Sequence, residues 1–128
     1  MAENSKQRIL IVEDEEDICR IMKKYLEAEG YVVLLAHDGQ EAYELIKKEL
    51  PDLILLDVKI PRIDGFTLNN FIRKDEMFKH IPVIVMTAYS QYKEAFEMNK
   101  EAPINDFIVK PFHIGLLVEK IKKVLNKT

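Results

Sequence analysis

Cysteine occurs once in these 128 residues, glycine four times and tryptophan not at all. A lone cysteine excludes an internal disulfide and points to a reducing, cytoplasmic setting. Cys19 falls on a helix-periodic stretch, where it reads as a small packed side chain. The glycines, Gly30, Gly39, Gly65 and Gly115, cannot be assembled into a GxxxxGK(S/T) or a GxGxxG loop, which removes the usual nucleotide-binding readings. No apolar run approaches the ~20 residues needed to cross a bilayer. The first eight residues are polar and lack a signal-peptide core, and residues 1–7 are expected to be flexible. There is no excess of positive charge either: the net charge of −3 gives no electrostatic basis for direct nucleic-acid or membrane binding.

What remains is an ordinary globular composition, 48% hydrophobic and 32% charged, in a length that suits one domain over residues 1–128. Five short apolar runs (Ile9–Val12, Tyr31–Leu35, Leu53–Leu56, Val83–Met86 and Phe107–Val109) alternate with amphipathic stretches. Three of the runs are almost unbroken Val, Ile and Leu, as expected of strands covered on both faces in a parallel sheet. Between them the apolar spacing is helical. The first helix carries Ile18, Ile21, Met22, Tyr25 and Leu26; the second carries Ala42, Leu45 and Ile46; the last carries Ile114, Leu117, Ile121 and Val124. Gly30 suits the C-terminal cap of the first helix, and Asp38 with Glu41 forms a capping pair for the second. Pro51, Pro61, Pro82 and Pro111 fall between elements. The fourth helix, within residues 90–101, has the weakest stripe: Ala95, Phe96, Met98 and Ala102. The pattern is (βα)5, a doubly wound, five-stranded parallel α/β sheet.

Such sheets bind ligands at the carboxyl ends of their strands. Those ends carry Glu13 and Asp14 (first), Asp57 (third), Thr87 (fourth) and Lys110 (fifth). Any one of them alone reads as a solvated loop residue; their joint placement does not. Clustered acids raise one another's pKa unless a cation compensates. Hard carboxylate oxygens suit Mg²⁺, with Mn²⁺ as a substitute. A metal and an ammonium beside one carboxylate suit phosphoryl transfer, with Asp57 as nucleophile. Glu13 and Asp14 would hold the metal, while Thr87 and Lys110 would each take a phosphoryl oxygen.

The stretches "ILIVEDEEDI", "PDLILLDVKIPRIDG", "IPVIVMTAY" and "DFIVKPF" together resemble the receiver domain of two-component response regulators, over essentially the whole chain. The resemblance implies a flavodoxin-like strand order 2-1-3-4-5, the order that a chemotaxis receiver illustrates for this fold. It implies that Glu13 and Asp14 bind Mg²⁺ with the backbone carbonyl of Lys59, and that Asp57 is both metal ligand and phosphoacceptor. Thr87 matches the switch hydroxyl. Lys110 matches the lysine preceding a proline, with a cis peptide bond expected after it. Phe107 occupies the position of the switch aromatic, where tyrosine is commoner; without a hydroxyl its switch must rest on packing.

The implied function is that of a stand-alone, cytoplasmic phosphoacceptor fed by a histidine kinase or a histidine phosphotransfer protein. It would catalyse only its own phosphorylation and dephosphorylation. Output would pass to a downstream protein through the face of helix 4, strand 5 and helix 5, from a monomer or a phosphorylation-induced dimer. The alternative is a degenerate receiver acting as a phosphorylation-independent scaffold, against which the complete residue set argues.

Lys59 and Tyr89 stand where receivers tune acyl-phosphate hydrolysis, a pairing similar to that of sporulation phosphorelay receivers. Lys59 also argues against a haloacid-dehalogenase-like phosphatase, which needs an acid at that position. The acids Glu15, Glu16 and Asp17 suit a helix's first turn, or a docking rim for a phosphotransfer partner. His37, His80 and His113 have no ligand spacing and read as surface residues. "EAPINDF" departs from the Gly-Ala pair usual in receivers, slightly lengthens that loop, and contains Pro103, which should stiffen it.

Overall fold

A computed structural model describes residues 6–60 and 62–126. The flexibility expected before residue 6 and the loop role of Pro61 fall outside them. Five strands, β1 (Arg8–Val12), β2 (Val32–Ala36), β3 (Leu53–Asp57), β4 (Val83–Thr87) and β5 (Asp106–Val109), form one parallel sheet of order β2-β1-β3-β4-β5. The helices are α1 (Glu16–Ala28), α2 (Gly39–Glu49), α3 (Gly65–Lys74), α4 (Tyr92–Met98) and α5 (Ile114–Leu125). Both the (βα)5 pattern and the strand order match expectation. Among the described residues no helix is long and apolar enough to cross a membrane.

Side chains on a strand alternate between faces, so each central strand feeds two cores. Leu10, Val12, Ile54, Leu56, Val83 and Val85 pack with Ile46 of α2, Leu68 and Ile72 of α3, and Phe96 of α4. Ile9, Ile11, Leu53, Leu55, Ile84 and Met86 pack with Met22 and Leu26 of α1 and Leu117 and Ile121 of α5. Every residue of β3 and β4 is buried, including the polar Asp57 and Thr87 that end them. Burying one such Leu or Ile contributes about 1.5–3 kcal/mol, which fixes the register and the strand ends with it.

Boundaries shift by about one residue. β2 begins at Val32, leaving Tyr31 half-buried outside it, and β3 and β4 extend to include Asp57 and Thr87. The stripe expected on α1 is narrower than its spacing implied. Cys19, Met22 and Leu26 are buried, whereas Ile21 and Tyr25 are 56% and 50% exposed. Gly30 takes φ 99° after the helix, the left-handed turn that its cap role requires. The capping pair on α2 is real: the Glu41 N–H donates to Asp38 Oδ1 at 2.7 Å. Its return bond comes from the His37 N–H to Glu41 Oε1, at 2.6 Å.

Helix α4 departs most from expectation. It spans only seven residues, only Phe96 of it is buried, and Met98 is 73% exposed. Ala102 is buried, but in the loop beyond the helix. That loop is fastened to α3. Asn69 Nδ2 donates to the Ala102 carbonyl at 2.9 Å, and Arg73 donates through Nε to the Pro103 carbonyl at 2.7 Å. Arg73 Nη1 also donates to the carbonyls of Lys79 and Ile81.

Candidate functional site

The sheet order places β1 beside β3, where the chain reverses its direction of travel across the sheet. Val12 is in register with Leu56, so Glu13 and Asp57 emerge next to each other at this switch point. On the other side Asp57 pairs with Met86, and Thr87 with Val109. The Lys110 N–H then donates to the Thr87 carbonyl at 2.8 Å. Residues 97 positions apart in the chain thereby meet at one rim.

Glu13, Asp14 and Asp57 each offer a carboxylate oxygen, all within 4.8 Å of one another. Glu13 is fully buried and Asp57 nearly so, while Asp14 is exposed. The Lys110 ammonium bridges the two buried acids, donating to Glu13 Oε1 and, at 2.9 Å, to Asp57 Oδ2. The other oxygen of Asp57 accepts the Lys59 N–H at 3.2 Å. Burial pushes the Glu13 carboxyl above its ordinary range, against the pull of the Lys110 ammonium. Burial also works against the charge on Lys110, but hydrogen bonds and charge from Glu13 and Asp57 outweigh it and raise its pKa. The ammonium is therefore retained at neutral pH. A buried cluster of hard oxygens facing one exposed carboxylate suits Mg²⁺, which keeps part of its water shell.

Thr87 is fully buried, and its Oγ1 accepts the Tyr89 N–H at 3.2 Å. The Lys59 ammonium lies 4.7 Å from the centroid of the Tyr89 ring. The two side chains singled out as a pair in the sequence thus engage each other. Phe107 is buried on β5, away from the rim, with its ring 6.4 Å from that of Phe96. The Lys110–Pro111 bond is cis. Cys19 donates its thiol to the Glu13 carbonyl at 3.3 Å, and burial pushes its pKa up to about 11, consistent with a packed, unreactive side chain. His37 and His113 belong to helix starts: His113 Nδ1 accepts the Gly115 N–H at 3.2 Å.

Over residues 9–122 the chain matches the family model of the response regulator receiver domain. The chain belongs to that family. A ycf27 transcriptional regulator of Guillardia theta is 36% identical over 124 residues, 97% of this chain and 47% of that protein. This receiver thus spans about half the length of such relatives. The polar-differentiation response regulator DivK of Brucella ovis is 33% identical over 118 residues, 92% of this chain and 95% of that one. Among solved structures, the receiver domain of sensor histidine kinase PA1611 from Pseudomonas aeruginosa superposes with a TM-score of 0.85. It is 29% identical, over 96% of this chain and all of that one, and holds a magnesium ion in its active-site cleft.

Receivers are signalling modules rather than enzymes acting on a separate substrate, and this one carries the family's acidic pocket. Sequence reasoning missed Asn69 and Arg73. A signal was present for the first, since Gly65, Leu68, Asn69 and Ile72 share one helical face and Asn69 is the polar member.

Proposed function

We propose that this receiver accepts a phosphoryl group on Asp57, with Mg²⁺ or Mn²⁺ bound by Glu13, Asp14, Asp57 and the Lys59 carbonyl. The observation that carries the reading is the Lys110 ammonium held between two buried carboxylates. Burying like charges is costly, and a scaffold has no use for it. The donor is a phosphohistidine on a kinase or phosphotransfer protein. An Asp57 oxygen attacks phosphorus, the P–N bond of the protonated phosphohistidine breaks, and imidazole leaves as the neutral base. Lys110 pairs with the anionic oxygens that gather there, and Thr87 donates its hydroxyl to another. The bound cation supplies further positive charge against those oxygens. Output passes by protein contact through α4, β5 and α5, where Met98, Val109 and Leu116 are exposed.

Incubation with Mg²⁺ and acetyl phosphate is expected to give one phosphoryl adduct by intact mass, mapping to Asp57 and lost with chelator. An unmodified protein would favour the scaffold, and an adduct on another residue would overturn the assignment.

Lys59 and Tyr89 roof the acyl phosphate and slow its hydrolysis. Their contact is a cation–π pair at an exposed site, worth ~0.5–1 kcal/mol, so Lys59→Asn or Tyr89→Ala is expected to shorten the acyl-phosphate half-life by about two- to fivefold. The double variant should add little to either single change, because each removes the same contact. Half-lives equal to wild type would leave these side chains without a hydrolytic role.

A further inference from the structure

Two residue choices at the outer edge of the site make little sense apart. Asp38 caps α2 through Oδ1, which accepts the Glu41 N–H at 2.7 Å. A cap needs only an acceptor oxygen, and asparagine or serine serves there as well as aspartate. Arg62 has φ 73°, in the left-handed region where glycine or asparagine is the ordinary choice. Neither position calls for a charge on local grounds. Yet Arg62 Nε lies 3.2 Å from Asp38 Oδ2, so one carboxylate holds both the start of α2 and the loop that follows β3.

That loop carries Lys59, whose N–H bonds Asp57 Oδ1 at 3.2 Å. Its two ends are fixed by β3. The Gly65 N–H donates to the Val58 carbonyl at 2.9 Å, and Gly65 packs directly on the backbone of Asp57 and Val58. Inward, Ile60 is buried in the core and Ile63 packs against it. The outward turn at Arg62 and Ile63 rests on the first turn of α2, with the Ile63 carbonyl close against Gly39. Contact with Gly39 sets how near the turn can come, and the Asp38–Arg62 pair keeps it from drawing away. Asp38 is itself steadied, because Glu41 also accepts the His37 N–H at 2.6 Å.

We propose that Asp38 and Arg62 are positioning residues for the cation: their pair braces the loop from α2 and holds the Lys59 backbone ready for Mg²⁺. This rests on the phosphoacceptor reading, which makes the Lys59 carbonyl a ligand. A loop already held in place loses less freedom on binding, and affinity rises accordingly. The Arg62 side chain is 69% exposed, so the contribution is modest and open to screening by salt.

The test is Mg²⁺ titration followed by backbone amide NMR, with thermal unfolding of the same samples free of metal. Arg62→Gly should weaken Mg²⁺ binding about two- to threefold, the scale of an exposed ion pair. Its Tm should stay within about 2 °C of wild type, because relief of the left-handed backbone offsets loss of the pair. A brace that served stability alone would lower Tm and leave affinity unchanged. Asp38→Asn keeps the capping oxygen and should weaken binding to the same extent, and the double variant should add little to either. At about 1 M NaCl the ratio of wild-type to variant affinity should fall toward one. In the metal-free protein, amide exchange at Gly65 should quicken about two- to threefold in both single variants, a readout that needs no cation. Equal Mg²⁺ affinity in wild type and both single variants overturns the proposal, as does a weakening that salt leaves unchanged. A wild type that binds Mg²⁺ no more tightly than the variants fails the proposal alone. A wild type that binds no Mg²⁺ and takes no phosphoryl group from acetyl phosphate fails the phosphoacceptor reading, and the proposal with it.

Discussion

Lys110→Met is expected to cost the metal-free protein about 3 kcal/mol near neutral pH, because it leaves buried carboxylates without their cation. It should also slow phosphorylation of Asp57 by about 100-fold, the usual loss when one preorganised charge is removed from a developing anion. The pH dependence separates this cause from simple loss of packing. Glu13 already lies above the ordinary carboxyl value of 4.5 because it is buried, with Lys110 opposing that rise. Without the ammonium it rises further. A carboxyl raised in the fold favours the folded state when protonated, and that advantage is lost as pH climbs through the raised value. The deficit of the variant should therefore be complete above the raised value, shrink as pH falls through it, and vanish only below 4.5, where Glu13 is neutral in both states. Urea unfolding across this range, referenced to wild type at each pH, measures it. Added Mg²⁺ should recover part of the loss by replacing the missing charge. A penalty independent of both pH and Mg²⁺ would show that methionine merely packs badly there.

The readable part of this molecule is the part whose physics is periodic or terminal. Unbroken Val, Ile and Leu in β1, β3 and β4 announce strands covered on both faces, and a sheet so built brings their carboxyl ends to one rim. Glu13, Asp57, Thr87 and Lys110 could thus be placed together from sequence, and they meet there. What spacing could not show is which side chains face each other between elements. Ile21 and Tyr25 have helical spacing yet lie outside the α1 contact, because periodicity gives the direction of a stripe and not its width. Helix α4 resisted for the opposite reason: its attachment is a set of rings from three elements, and no local pattern records such pairings. The loop that contains Pro103 is also held from α3, by Asn69 and Arg73, and no local pattern shows those bonds.

Gly39 is the other position where spatial neighbours overrule local preference, and it gives an opposed pair of expectations. Gly39 is the first residue of α2, and alanine is the better helix former by about 1 kcal/mol. On propensity alone Gly39→Ala should stabilise. Yet a Cβ there would sit 2.1 Å from the Ile63 carbonyl oxygen and 2.6 Å from Ile63 Cβ. The nearest obstacle is backbone, so no rotamer relieves the clash. The loop behind it has little freedom to retreat. Arg62, with φ 73°, pairs through Nε with Asp38 Oδ2 at 3.2 Å. Two residues beyond Ile63, Gly65 packs so closely on β3 that its own Cβ would lie 2.8 Å from the Asp57 carbonyl. Overpacking of this kind costs about 1–3 kcal/mol, and with a backbone atom as the obstacle it should outweigh the propensity gain, giving a net loss of up to about 2 kcal/mol. The same loop carries Lys59, so Mg²⁺ affinity should fall with stability. Gly30→Ala is the comparison. Its Cβ meets nothing within 4 Å, and the only cost is the left-handed backbone, ~1 kcal/mol, with no effect on the metal. Thermal unfolding and Mg²⁺ titration of both variants decide the matter. A Gly39→Ala protein as stable as wild type, with unchanged Mg²⁺ affinity, would mean that the loop yields and does not hold the site.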